Sequence, residues 1–185
     1  MLKITIYNEF IHEKTDKTCQ TVYPDGIHSV LAGFLKESIE CSVRTYSVDD
    51  VNTALTDDIL DDTDVLIWWG HMAHHKVSDE VAKRVCSHVQ MGMGAVFLHS
   101  AHDSKPFKLL MGTPCTLRWR EAGEHERLWV VDPIHPIANG ISEYIELPQE
   151  ETYGEFFDIP KPDALIFLGW FSGGNVLRSG CSYKR

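Results

Sequence analysis

The chain has 185 residues, of which 43% are apolar, and this suits one folded domain with a substantial core. Its formal net charge is −10 and it has no cluster of Lys or Arg, which argues against nucleic acid and anionic membranes as partners. No apolar run approaches the ~20 residues of a membrane helix.

The first half of the chain alternates strand-like apolar runs with helical patterns, which is typical of a parallel sheet. Strands are predicted at residues 2–10, 41–47, 65–69 and 95–98. Helices are predicted from residue 27 onward, between the N-cap Ser78 and Gly92 or Gly94, and at 107–111. The polar stretch 13–20 is predicted as a loop, and the acidic stretch 57–64 as a solvated loop or helix end.

The runs 65–69 and 95–98 are unbroken apolar segments, which favours neighbouring strands covered on both faces. The second half has a different pattern, because its strand-like runs are not separated by long helices. These short strands are predicted at 116–119, 127–131, 145–147, 164–168 and 176–178. The sequence therefore predicts an α/β domain with a mostly parallel central sheet and a less regular second half.

The five cysteines are scattered, odd in number and without a CxxC pair: Cys19, Cys41, Cys86, Cys115 and Cys181. This pattern favours reduced thiols in a cytosolic protein over a disulfide framework or a zinc ribbon. The apolar start of the chain is too short for a signal peptide, so a cytoplasmic location is expected.

Histidines follow two of the predicted central strands. Ligands of open α/β sheets bind beyond the carboxyl ends of the strands, so His71, His99 and His102 are expected to meet in one crevice. Imidazoles shuttle protons near neutral pH or bind a divalent metal such as Zn, although the spacing matches no standard zinc signature. Glu150, Glu151 and Glu155 are candidates to complete this site, whereas His74 and His75 are expected to be solvated.

Ser100 lies between a strand and a helix, where a nucleophile elbow stands, but it lacks the small flanking residues of the GxSxG motif. The alternatives for Ser100 are a helix N-cap or a hydrogen-bond donor to a ligand. Tyr153, Phe156 and Trp170 lie in the irregular half, and some of these aromatic side chains are candidates to line a sugar pocket instead of the core.

Several segments together resemble the ThuA-like (trehalose utilisation) family, in order and almost from end to end. They are Trp68-Trp69-Gly70-His71-Met72-Ala73-His74, Leu98-His99-Ser100-Ala101-His102, Leu110-Met111-Gly112-Thr113, Trp119-Arg120-Glu121-Ala122-Gly123-Glu124, His135-Pro136-Ile137-Ala138 and Glu150-Glu151-Thr152-Tyr153-Gly154-Glu155. The resemblance implies a flavodoxin-like three-layer sandwich of the class I glutamine amidotransferase-like superfamily. It also implies a role in the use of trehalose or another disaccharide.

Two departures from that superfamily and family carry predictions. No cysteine stands at the elbow, so no thiolate is available to form a glutamyl-enzyme and no glutaminase activity is expected. Similar family members continue into a further strand and a Pro-Gly-His-Glu motif, so we expect that a longer natural protein exists. Without that strand, the edge at 176–179 is expected to be covered by self-association into a homo-oligomer.

The leading functional hypothesis is an enzyme, or an accessory to one, that processes a disaccharide or its keto derivative. His71, His102, Glu151 and Glu155 are its candidate acid/base groups, and Ser100, Tyr153 and Trp170 its candidate substrate contacts. His71, His99 and His102 are the candidate metal ligands. The rival hypothesis is a non-catalytic sugar-binding or regulatory module that uses the same crevice.

Overall fold

A computed structural model describes all residues from 1 to 185. The chain divides into two compact units, Met1–Leu110 and Met111–Arg185. Each unit is built on its own four-stranded sheet. None of the helices combines the length and the apolar composition that a membrane crossing requires.

The N-terminal unit holds a parallel sheet with the strand order β2-β1-β3-β4. Its strands are β1 (Leu2–Asn8), β2 (Cys41–Ser47), β3 (Val65–Trp69) and β4 (Gly94–Phe97). Its helices are α1 (His12–Thr15), α2 (Lys17–Val22), α3 (Ile27–Ser38), α4 (Val51–Ala54), α5 (Asp57–Asp61), α6 (Asp79–Gln90) and α7 (Lys105–Met111), the last of which ends at the boundary between the units. The predicted parallel sheet and the pairing of its third and fourth strands are confirmed.

Side chains that alternate along the strands build a separate apolar layer on each face of this sheet. On one face, Ile4 and Ile6 pack with Ala32 of α3. On the other face, Leu66 and Trp68 belong to a larger cluster that includes side chains of α4, α5 and α6. Helices therefore cover both faces, as the three-layer prediction requires.

The fourth strand is more exposed than its apolar sequence predicts. β4 has only β3 as a hydrogen-bonded neighbour, so it forms an edge of the parallel sheet. Val96, in the middle of β4, is 44% exposed. The prediction of a strand covered on both faces is therefore wrong for β4.

The prediction of a loop at residues 13–20 is wrong, because α1 and α2 occupy this stretch. Asp16 caps α2 by accepting a hydrogen bond from the Cys19 N–H at 2.9 Å. Helices this short lack the apolar periodicity that reveals a longer helix. Ser78 caps α6 as predicted, and its hydroxyl accepts from the Val81 N–H at 3.2 Å.

The C-terminal unit holds an antiparallel sheet with the strand order β6-β5-β7-β8. Its strands are β5 (Arg118–Val130), β6 (Tyr144–Gly154), β7 (Ala164–Phe171) and β8 (Val176–Ser182). The mostly parallel prediction therefore holds only for the N-terminal unit. The two strands predicted at 116–119 and 127–131 are one strand, because the polar stretch between them is bulged around Gly123, whose φ is 61°, and not broken.

β8 forms one edge of the antiparallel sheet, since β7 is its neighbour in the sheet order. Beneath the sheet, Tyr153, Phe171 and Leu177 form a small apolar cluster. Self-association through the β8 edge stays a prediction.

Candidate functional site

The crevice predicted by the topology lies between β1 and β3. In a flavodoxin-like sheet, the connections leave these two strands in opposite directions along the sheet, which opens a ligand site beyond their carboxyl ends. The strands begin to separate at a hydrogen bond of 3.1 Å from the Glu9 N–H to the Trp69 carbonyl. The loops that follow, starting at Glu9 and at Gly70, therefore form the two walls of this crevice.

Glu9 holds the loop after β3 in place from the inside. Its side chain is fully buried, and its carboxylate accepts the backbone N–H groups of His71, Met72 and Ala73 at 2.9, 3.0 and 2.8 Å. Hydrogen bonds to an ionised group are stronger than those between neutral groups, so one carboxylate fixes three consecutive residues. The sequence analysis missed Glu9, although an acidic residue directly after an apolar strand was a signal.

His74 is folded back against Gly70 at the floor of this loop. A Cβ at Gly70 would lie 3.2 Å from His74 Cε1, so glycine permits the close approach. His74 Nε2 is buried and has no hydrogen-bond partner in the protein. The prediction that His74 is solvated is therefore wrong, whereas the prediction for the exposed His75 is confirmed.

The surroundings of His74 favour its neutral form. Burial is the main cause that lowers the pKa of this imidazole below its ordinary value. The carboxylates of Asp103 and Glu9 oppose this shift, while His102 adds to it. A neutral imidazole with an open nitrogen is a proton acceptor at neutral pH.

Rings from both loops meet beside this position. The His12 ring, from the loop after β1, packs on the His71 ring with centroids 4.9 Å apart and planes tilted by 35°. Trp69 lies on the other side of His71, with centroids 6.5 Å apart. Sequence reasoning missed His12 because it stands between the strand predicted at 2–10 and the loop predicted at 13–20.

The turn after β4 carries a histidine in a left-handed backbone conformation. His99 has φ of 46°, which is uncommon for a residue with a side chain and is found at functional sites. Its imidazole is exposed. Ser100 is buried and lies inside the short 3₁₀ helix His99–Asp103, so it is not the helix N-cap. The strained position of the elbow therefore belongs to His99 and not to Ser100.

The predicted metal site does not fit the residues present. No group of three or more His, Cys, Asp or Glu side chains is arranged to hold a metal ion anywhere in the chain. Although His71, His99 and His102 all follow strands of one sheet, they do not form a ligand set. We derive no step through a metal.

Glu155, a predicted acid/base group in the C-terminal unit, has a structural role. Its carboxylate accepts from Arg178 Nε at 2.9 Å and from the Phe157 N–H at 2.8 Å. Although burial acts to raise the pKa of Glu155, these partners outweigh it and lower the pKa. A carboxylate engaged in this way is a poor proton donor, which corrects the prediction.

The other predicted residues of the C-terminal unit differ in exposure. Tyr153 is buried in the small apolar cluster, so it packs in the core and does not line a pocket. Trp170 is 40% exposed. Burial, and then the charges of Glu121 and Glu150, raises the pKa of Glu151. These three acidic residues line an open cavity of about 430 Å³ on the β5–β6 hairpin.

The cysteines do not occupy the elbow. Cys86 is buried within α6, where burial raises the pKa of its thiol to about 11. Cys115 is buried in the segment between α7 and β5. Neither residue follows a strand of the parallel sheet, and the expected absence of glutaminase activity stays a prediction.

The parallel sheet with helices on both faces, together with the crevice between β1 and β3, defines an α/β protein of the flavodoxin-like, class I glutamine amidotransferase-like type. A family model described as ThuA, trehalose utilisation, matches residues 3–171. The chain therefore belongs to the ThuA family. Curated proteins give no match to it.

Solved structures show the same fold at low sequence identity. A ThuA-like protein from Bacteroides uniformis is similar with a TM-score of 0.65 and 12% identity, over 98% of this chain and 75% of that one. A cytoplasmic protein from Salmonella typhimurium gives 0.58 and 13%, over 95% and 82%. A GMP synthase chain from Thermoplasma acidophilum gives 0.50 and 11%, over 94% and 80%. The last similarity supports the amidotransferase-like fold.

Proposed function

We propose that this protein is a sugar-processing enzyme that acts on a keto derivative of a disaccharide such as trehalose, with His74 as its general base. The observation that carries the proposal is the imidazole of His74, which is kept neutral by burial and has an unpartnered Nε2 at the β1–β3 crevice. Membership of the trehalose utilisation family supports a disaccharide as the substrate class.

The chemistry follows from what a neutral imidazole can do. A carbon next to a ketone carries an acidic proton, and a base within hydrogen-bond reach can remove it. In a 3-keto-disaccharide, removal of the proton at carbon 2 gives an enolate. The enolate electrons then expel the glycosidic oxygen from carbon 1, and that oxygen takes up a proton. The products are an unsaturated keto sugar and the second sugar, and the step needs no oxidant.

The loop geometry supports this role for His74. Glu9 fixes residues 71–73 through three hydrogen bonds, so the segment that carries His74 is held before substrate arrives. We place the activity in the cytoplasm, which the sequence start and the cytoplasmic protein of similar fold support.

Replacing His74 by glutamine is expected to lower kcat/KM on 3-ketotrehalose by ~10²- to 10⁴-fold, the usual contribution of a general base. The neighbouring His75→Gln is the matched control and should retain wild-type turnover, because His75 is exposed. Product formation is followed by the ultraviolet absorbance of the unsaturated keto sugar.

The pH profile of the wild-type enzyme gives an independent readout. A base must be deprotonated to act, and burial lowers the pKa of His74. The acid limb of kcat/KM should therefore lie below pH ~6.5, the ordinary value for histidine. Equal losses in both variants, or tight binding of 3-ketotrehalose by the wild type without product, would show that the crevice is not this enzyme site. The second result would favour a sugar-binding module.

A further inference from the structure

His12 is the second imidazole of the crevice and the one that stands on the wall opposite His74. It is the first residue of α1 (His12–Thr15), in the connection that leaves β1. His74 follows β3, the strand paired with β1. The ring of His12 packs on His71 with centroids 4.9 Å apart, so His12 lies beside the loop that carries the base.

The helix that carries His12 is anchored by its next residue. Glu13 is 4% exposed, and its Oε1 accepts from Asn8 Nδ2 at 2.7 Å and from the Ile27 N–H at 3.2 Å. Asn8 Oδ1 accepts from the Phe10 N–H at 3.1 Å, which fixes the orientation of the Asn8 amide and makes its Nδ2 the donor to Glu13. These bonds tie α1 to the end of β1 and to the start of α3.

A salt bridge of 2.6 Å from Lys14 Nζ to Asp49 Oδ2 secures α1 at a second point. The Lys14 ammonium also lies 4.5 Å from the centroid of the Phe10 ring. His12 is therefore a half-buried imidazole on a fixed support, which is the arrangement that precise proton transfer requires.

We propose that His12 is the general acid of the elimination and donates its N–H proton to the departing glycosidic oxygen. This inference rests on the proposed function, because it assigns the second proton transfer of the same reaction. His74 takes the proton from carbon 2, the bond from carbon 1 to oxygen breaks with its electron pair on oxygen, and the proton of His12 neutralises that oxygen. Exchange with water then restores both imidazoles.

The assignment favours His12 over His71 for a geometric reason. His71 stands on the same short loop as His74, three residues away. A proton donor and a proton acceptor that act on different atoms of one substrate must flank it, and His12 comes from the opposite wall of the crevice.

Leaving groups of different basicity provide the test. In His12→Gln, kcat/KM on 3-ketotrehalose, whose leaving group is a sugar hydroxyl, should fall by ~10²-fold or more. On 4-nitrophenyl 3-keto-α-glucopyranoside, whose nitrophenolate leaves without a proton, the same variant should stay within about 3-fold of the wild type. His74→Gln should lose activity on both substrates, and the control His75→Gln on neither.

Each outcome separates the two proposals. An equal loss on both substrates in His12→Gln, or no loss on either, would overturn the role of His12 while the result for His74→Gln still stands. Absence of turnover of both substrates by the wild type would overturn both proposals. His12→Ala is measured in parallel, and circular dichroism of each variant verifies folding, so that a loss through unfolding is recognised as such.

Discussion

Replacing Glu9 by alanine is expected to lower the free energy of unfolding by roughly 3 kcal/mol or more, because it leaves three N–H groups behind a buried position without an acceptor. Each such orphaned group costs about 1–3 kcal/mol. Glu9→Gln should show a smaller loss, since its amide keeps one oxygen but turns an N–H₂ group toward the same donors. Chemical denaturation measures both values.

Hydrogen exchange locates the effect of the Glu9 variants. The amides of residues 71–73 should exchange much faster in Glu9→Gln than in the wild type, while the amides of β1 stay protected. Glu37→Ala on the exposed side of α3 is the control and should change stability by less than about 0.5 kcal/mol. If Glu9→Ala matches this control and the loop stays protected, the carboxylate does not hold the site together.

The second large effect concerns Glu126 in β5, whose side chain is buried, with the residue 6% exposed. Burial, and then the charge of Glu150, raises the pKa of Glu126 from 4.5 to about 7. The carboxyl packs closely over Gly169, where an added Cβ would collide with Glu126 Oε1. The folded chain therefore keeps this group protonated at pH values where the unfolded chain ionises it.

The sign of the pH dependence follows from the bound proton. Below pH ~4.5 the group is protonated in both states, so its stabilising effect is fully present. Between pH 4.5 and about 7 only the folded state holds the proton, so stability falls as pH rises, by roughly 3 kcal/mol in total. Glu126→Gln removes this loss, because the amide stays neutral.

Thermal unfolding of Glu126→Gln and the wild type from pH 4.5 to 8.5 checks this expectation. The variant should gain stability over the wild type progressively as pH rises, and the two should be close at pH 4.5. Glu143→Gln, at an exposed position just before β6, removes a charge without burial and should show no such gain. A difference curve that is flat with pH would mean that Glu126 ionises normally in the folded chain.

The parallel half of the fold could be predicted because its strands are apolar and separated by amphipathic helices. Residues 41–47 and 65–69 form strands with the predicted bounds. The antiparallel half was less predictable, since a polar, bulged stretch inside β5 reads as a break between two strands. The exposure of β4 depends on which strand pairs with its outer edge, and local sequence does not contain that information.

The site was predicted at the correct end of the sheet but with different residues in the leading roles. Histidines after β3 were visible in sequence, whereas the burial of His74 depends on Gly70 and on Glu9, which comes from a distant strand. His12 was missed for a similar reason. Its place in the crevice follows from the pairing of β1 with β3, which only the folded topology provides.

The neutral, half-buried imidazole of His74 is the centre of the proposed mechanism, and nuclear magnetic resonance of the ¹⁵N-labelled histidine rings measures it directly. The His74 signal is assigned by its loss in His74→Gln and followed while the pH is varied. We predict that the pKa of His74 lies below the ordinary ~6.5, so that the ring is neutral at pH 7 with one nitrogen unprotonated. A His74 ring that titrates at or above that value would contradict the proposed base and the enzyme function built on it.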